Sequence, residues 1–152
     1  MPEGRLDLTQ YVEPGKTCVC FSLRKSARVV TKVYDDALRP TGLRITQFSL
    51  LIVTRLAGTV TVNDLAEAMV MDRTTLTRNV KPLANQGLIR VVPGRDRRER
   101  EVSLTTQGQA ALARALPLWR NAQRLVSRKL GQARMARLLR ELAVTVEAGR
   151  GA

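Results

Sequence analysis

"TVTVNDLAEAMVMDRTTLTRNVKPLANQGLI", residues 59–89, holds two short apolar rhythms separated by a three-residue break. In the first, Thr61 followed by Asp64 resembles a capping box with aspartate in place of the usual glutamate. Leu65, Ala66 and Met69 then make a short apolar stripe. "VMD" at 70–72 reads as a brief turn, and Asp72 is set to cap a second helix from Arg73 to about Gln86. On that helix Leu76, Val80 and Leu83 recur at spacings of four and three and face inward, which leaves Arg73, Thr74, Thr77, Arg78 and Lys81 largely outward. Gly87 is the C-terminal stop. Pro82 has no N–H to offer the Arg78 carbonyl, so the last turns are expected to bend or tighten.

Two short helices joined by a tight turn, the second carrying outward Arg, Thr and Lys, suit a helix-turn-helix. The major groove of DNA admits one helix, its guanines accept paired bonds from arginine, and threonine reaches bases or phosphates. Read alone, the stretch also fits an ordinary helical pair with a solvated polar face. The residues after it separate these two readings. "LIRVV" is short and β-branched, "VVPGRDRRERE" (91–101) runs through Pro93 and Gly94 into four arginines and three acids, and "REVSLT" resumes the strand pattern. A hairpin tip by itself is most often solvated charge. Set directly after a reading helix, it is expected to be a wing whose arginines meet the negative potential of the neighbouring minor groove.

The flanks are helical. Leu23, Ala27, Val30 and Tyr34 share a helix face after Cys18, and "RPTG" at 39–42 ends that helix. "TQFSLLIVTRL" (46–56) comes next, with Thr46 expected as N-cap and Phe48, Leu51, Ile52 and Leu56 facing inward. A long helix from Thr105 or Thr106 carries Leu112, Leu116, Trp119, Val126 and Leu130, with a bend expected near Pro117. After Gly131 a last helix aligns Met135, Leu138, Leu139, Leu142 and Val146. These stripes exceed what one small winged domain needs to cover. Dimerisation is the economical explanation, since two-fold DNA sites call for a two-fold protein.

Composition narrows the function class. The 152 residues carry 26 Lys plus Arg against 13 Asp plus Glu, a formal charge of +13, with 44% hydrophobic residues to build a core. Such a charge points to a polyanion: DNA, RNA or an acidic membrane face. No run of about 18 apolar residues is present to span a membrane, and the N-terminus lacks a secretory pattern, so a cytoplasmic protein is expected. There is no histidine, nucleotide-binding glycine motif or D-x-D cluster. Enzyme activity, a metal site and a cofactor are therefore not expected. Two classes remain: a sequence-specific regulator, and a packaging protein indifferent to sequence.

From about residue 18 to 148 the chain resembles the MarR family of bacterial transcription regulators. The most specific part is 96–108, where Asp96-x-Arg98 followed by Leu104, Thr105 and Gly108 looks like that family's wing signature. The resemblance implies a mainly α fold with a small β-hairpin wing (α+β). It implies a winged helix-turn-helix between interlocked N- and C-terminal dimerisation helices, forming a homodimer on a palindromic operator in double-stranded DNA. On that reading residues 1–16 are an arm, 17–45 and 106–148 the dimerisation region, and 46–105 the DNA-binding domain. The expected DNA contacts are Arg73, Thr74, Thr75, Thr77, Arg78 and Lys81 in the major groove and Arg95, Asp96, Arg97 and Arg98 at the wing. In the family the D-x-R arginine enters the minor groove and the aspartate holds it, roles that carry to Arg98 and Asp96. Family effectors are often phenolic or aromatic acids, which puts a candidate pocket near Arg28, Tyr34 and Trp119. A repressor released by such a small molecule is the expected function.

"CVCFSLRKSARVVTKVYDDAL" (18–38) is also similar to the first helix of the organic-hydroperoxide-sensing branch, whose reactive cysteine opens a Cys-Phe-x-Leu stretch. Cys20 holds that position, with Cys18 beside it. The chain departs from the branch at Arg24, where a tyrosine is usual, and has no cysteine in its C-terminal half. A thiolate near a helix start, with Lys16, Arg24 and Lys25 around it, has reason to react with peroxide. Two small apolar residues packed at a dimer contact explain Cys18 and Cys20 equally well. Being about 200° apart around a helix, the two do not bridge unless the helix end unwinds.

Overall fold

The computed structural model describes residues 8–96 and 98–151, and the chain divides into two compact units, Met1–Val33 and Tyr34–Ala152. In the first, a 3-10 turn at Leu8–Tyr11 leads into helix α1 (Val12–Thr17) and most of α2 (Val19–Leu38). Part of the expected arm is thus helical. Pro14 does not prevent it, because it stands in the first turn, where an N–H has no helical partner to lose. Cys18 takes an extended backbone (ψ 110°) and separates α1 from α2. Among the described residues of this unit none is buried, and Val19, Phe21 and Val29 are exposed.

The second unit begins with the last turn of α2, where Tyr34 and Leu38 are buried. A 3-10 turn (Arg39–Thr41) and Gly42, at φ 73°, then reverse the chain. Helix α3 runs Ile45–Ala57. Thr46 is not its cap. The N-cap is Arg44, whose N–H donates to Gln47 Oε1 (3.0 Å), while the Ile45 N–H donates to Asp35 Oδ1 (2.7 Å) from α2. A tertiary carboxylate takes the role expected of a local threonine. Leu56, expected inward, is 82% exposed. The buried face of α3 is formed by Phe48, Leu50, Leu51 and Thr54, and at 100° per residue Leu56 falls nearly opposite its centre.

Strand β1 (Val60–Thr61) precedes α4 (Val62–Ala68), then α5 (Arg73–Asn85), β2 (Ile89–Pro93) and β3 (Arg100–Leu104). The sheet is antiparallel in the order β1-β3-β2, with Val102 opposite both Val60 and Val91. Two residues are too few to show alternation, so β1 has no signature in the sequence; its pairing with β3 defines it. The core joins Leu50 and Leu51 of α3, Leu65 of α4, Leu76, Val80 and Leu83 of α5, Ile89 and Val102 of the sheet, and Ala111 and Ala115 of the next helix. That helix, α6 (Thr106–Leu130), continues through Pro117. Helix α7 (Gln132–Arg150) comes after Gly131 and buries none of its residues. Among the described residues no helix is long and apolar enough to cross a membrane.

Candidate nucleic-acid interface

Helix α4 starts at Thr61, whose Oγ1 accepts the Asp64 N–H at 3.1 Å. The turn between α4 and α5 puts Val70 at φ 53°. A β-branched residue is costly in this left-handed region, by roughly 1–2 kcal/mol. Asp72 then opens α5: its carboxylate accepts the Thr75 N–H (2.8 Å) and the Thr75 hydroxyl (2.6 Å). These bonds hold the Asp72 carboxyl below its ordinary pKa, because they stabilise its charged form.

With Leu76, Val80 and Leu83 pinned in the core, the opposite side of α5 is set. Arg73, Thr74, Thr77, Arg78 and Lys81 are all exposed and share a sector of about 140°. The Thr77 hydroxyl donates to the Arg73 carbonyl (2.8 Å). Thr75 is only half-exposed, with its hydroxyl engaged on Asp72. The helix runs on through Pro82 and stops at Gly87, φ 71°.

The wing is rooted immediately after that stop. Thr105 N–H donates to the Leu88 carbonyl (3.1 Å), and its hydroxyl donates to the Gly87 carbonyl (2.6 Å) while accepting the Gly108 N–H (3.0 Å). One threonine thus caps α6 and ties it to the end of α5. Gly108 makes this possible, since a Cβ there would stand 1.9 Å from the Leu88 oxygen. At the tip the Gly94 N–H donates to Glu99 O (2.9 Å), and Asp96 Oδ1 accepts the backbone N–H of Arg98 (2.9 Å). Asp96 therefore orders the tip through the backbone of Arg98, not through the guanidinium. Arg95, Asp96 and Arg98 are exposed; Arg97 lies outside the described residues.

The remaining candidates sit elsewhere. Cys18 and Cys20 are exposed thiols, and Cys18 Sγ accepts the Phe21 N–H at 3.4 Å, at the start of α2. Arg28 is an exposed residue of the first unit. In the second unit Tyr34 is buried and its hydroxyl donates to Gln123 Oε1; burial raises its pKa. Trp119 stacks on Phe48 (centroids 6.0 Å apart). The two rings line an apolar cavity of about 250 Å³ with Ile52, Val53 and Leu116, and Tyr34 is not part of its wall. The sequence marks Phe48 only as core.

The comparisons with known proteins agree with this geometry. The MarR family's sequence model matches residues 41–99. In Bacillus subtilis, the HTH-type transcriptional regulator YwoH is 31% identical over 87 residues, 57% of this chain and 64% of its own length. The same organism's organic hydroperoxide resistance transcriptional regulator is 32% identical over 101 residues, covering 66% of this chain and 69% of that protein. The Mycobacterium tuberculosis transcriptional regulator MosR, solved in complex with DNA, is 42% identical, with a TM-score of 0.78 across 88% of this chain and 98% of MosR. The α4–α5 helix pair, the threonine-clamped hairpin and this likeness along nearly the whole of MosR make the chain a member of the MarR family, built on its winged helix-turn-helix fold.

Proposed function

We propose that the chain is a sequence-specific DNA-binding transcriptional repressor that acts as a homodimer on a palindromic operator and is released by a small molecule. The observation that carries this reading is the exposed basic row of α5 with an arginine-tipped hairpin rooted at that helix's end. Arg73, Thr74, Thr77, Arg78 and Lys81 read or grip the major groove, Thr75 braces the helix start, and Arg95, Arg97 and Arg98 reach the adjacent minor groove. The likeness to MosR, solved on DNA, supports it.

The dimer is supported by what the single chain leaves uncovered. Phe21, Val29 and Val30 of α2 are exposed, as are Leu138, Leu139, Leu142 and Val146 of α7. Apolar faces of this kind mark interaction surfaces. Residues 17–45 and 106–148 then serve dimerisation, and 46–105 serve DNA. The effector acts by favouring a dimer whose reading helices depart from the roughly 34 Å spacing of successive major grooves. The aromatic wall of the Phe48–Trp119 cavity suits a ring-bearing ligand.

The test is competition between the DNA upstream of the gene and a scrambled duplex at physiological salt. A preference of about 10³ or more is expected. A ratio near one would identify a packaging protein instead. A second reading, release by oxidation of Cys20, is favoured by the exposure of both thiols and by the hydroperoxide-resistance relative. In that step the Cys20 thiolate attacks the distal oxygen of a hydroperoxide, the O–O bond breaks to give a sulfenic acid, and the departing alkoxide takes a proton from water to become the alcohol. Peroxide release that persists in Cys20→Ser would exclude it.

A further inference from the structure

A second cavity, of about 300 Å³, lies at the root of the wing and differs in kind from the aromatic one. Its wall includes Arg55 from the last turn of α3, Arg90 from β2 and Ser103 from β3, and no acidic residue. Arg90 and Ser103 are cross-strand partners, so their side chains leave the same face of the sheet. Gln109, in the first turns of α6, and Thr59 add polar groups. Gly58, at φ 77°, lets the chain turn between α3 and β1 at the rim. Glu101, two residues along from Ser103 on the same face, has its side chain against Gly94 toward the tip.

Neither Arg55 nor Arg90 makes a hydrogen bond or ion pair with another described residue, unlike Arg39 and Arg44, which pair with Asp36 and Asp35. Two arginines line one hollow together with hydroxyl and amide groups, and no carboxylate of its wall balances their charge, a lining that favours an anion. Arginine forks match the oxygens of carboxylate and phosphate groups. We propose that the cavity walled by Arg55, Arg90 and Ser103 is an oxyanion-binding site, taking a phosphate or carboxylate group. Its position matters. The site joins α3, both wing strands and the start of α6, so an occupant fixes the wing against the helices that carry it.

The oxyanion has two sources, a free small anion or a phosphate of the DNA backbone. The first arm of the test titrates inorganic phosphate against the DNA-free protein at constant ionic strength, following Tm and heat of binding. A free-anion site predicts a saturable rise in Tm, with affinity weakened about tenfold or more in Arg55→Gln and in Arg90→Gln. Both side chains are exposed and have no partner among the described residues, so both variants are expected to keep the wild-type Tm in chloride. The second arm rests on the DNA-binding reading above and measures DNA affinity against salt. A backbone phosphate in the site lowers the slope of log K against log [salt] by about one in each variant. If both variants match the wild type in phosphate and in salt slope, the site does not exist. Failure of DNA binding altogether would leave the phosphate arm to decide.

Discussion

Gly108→Ala separates local propensity from tertiary fit. Ranked by helix propensity alone, alanine in place of glycine should stabilise α6 by up to about 1 kcal/mol. The tertiary structure reverses the sign. The added Cβ would stand 1.9 Å from the Leu88 oxygen and 2.9 Å from its carbonyl carbon. An ordinary C···O contact is about 3.3 Å or more, so the start of α6 and the entry to β2 must separate by roughly 1.4 Å. That displacement breaks the bonds joining them: Thr105 N–H to Leu88 O at 3.1 Å and the Thr105 hydroxyl to Gly87 O at 2.6 Å. The Gln107 amide bond to Gln86 O at 3.2 Å goes with them. At about 1 kcal/mol each, two or three lost bonds outweigh the propensity gain and leave a net loss of roughly 1–3 kcal/mol. For a chain of this size the expected fall in Tm is about 3–10 °C, read by calorimetry or thermal circular dichroism. A Tm equal to or above that of the wild type would refute the clamp.

At the wing tip, Arg98→Ala should weaken operator binding by roughly 1–3 kcal/mol in a titration at fixed salt; unchanged affinity would remove the tip from the interface. Val70→Asn should raise stability by about 1 kcal/mol, since asparagine tolerates the positive φ of 53° that valine resists. A denaturant midpoint that does not move upward argues against that strain. The Asp72 carboxyl has a folded pKa below its unfolded value of about 3.9, so its contribution is present above that value and lost as pH falls through the folded one. The Tm gap between wild type and Asp72→Ala should therefore be full at pH 6 and shrink below about pH 4; a gap that widens in acid reverses the sign. Leu139→Asp with Leu142→Asp should shift the protein from dimer to monomer in sedimentation, with dimer affinity down at least about 100-fold, because each removes a leucine worth about 1.5–3 kcal/mol from both protomers.

The sequence alone determined helix α5, its outward basic row and the hairpin after it. Those features rest on local rules. Asp72 caps its own helix, Leu76, Val80 and Leu83 repeat at helical spacing, and Gly87 stops the chain at positive φ. Tertiary structure decided the features whose partners lie far along the chain. Asp35 caps α3 in place of Thr46, Leu56 turns outward because the buried face of α3 centres elsewhere, and β1 exists only through its pairing with β3. Thr105 and Gly108 were legible as part of a wing signature, but their work as a clamp against Gly87 and Leu88 was not. Nor was the meeting of Arg55 with Arg90 and Ser103. A rhythm of three, four or two residues records which way a side chain points within its own element. It says nothing of which distant backbone or charge will be waiting there, because that is settled only when the elements pack.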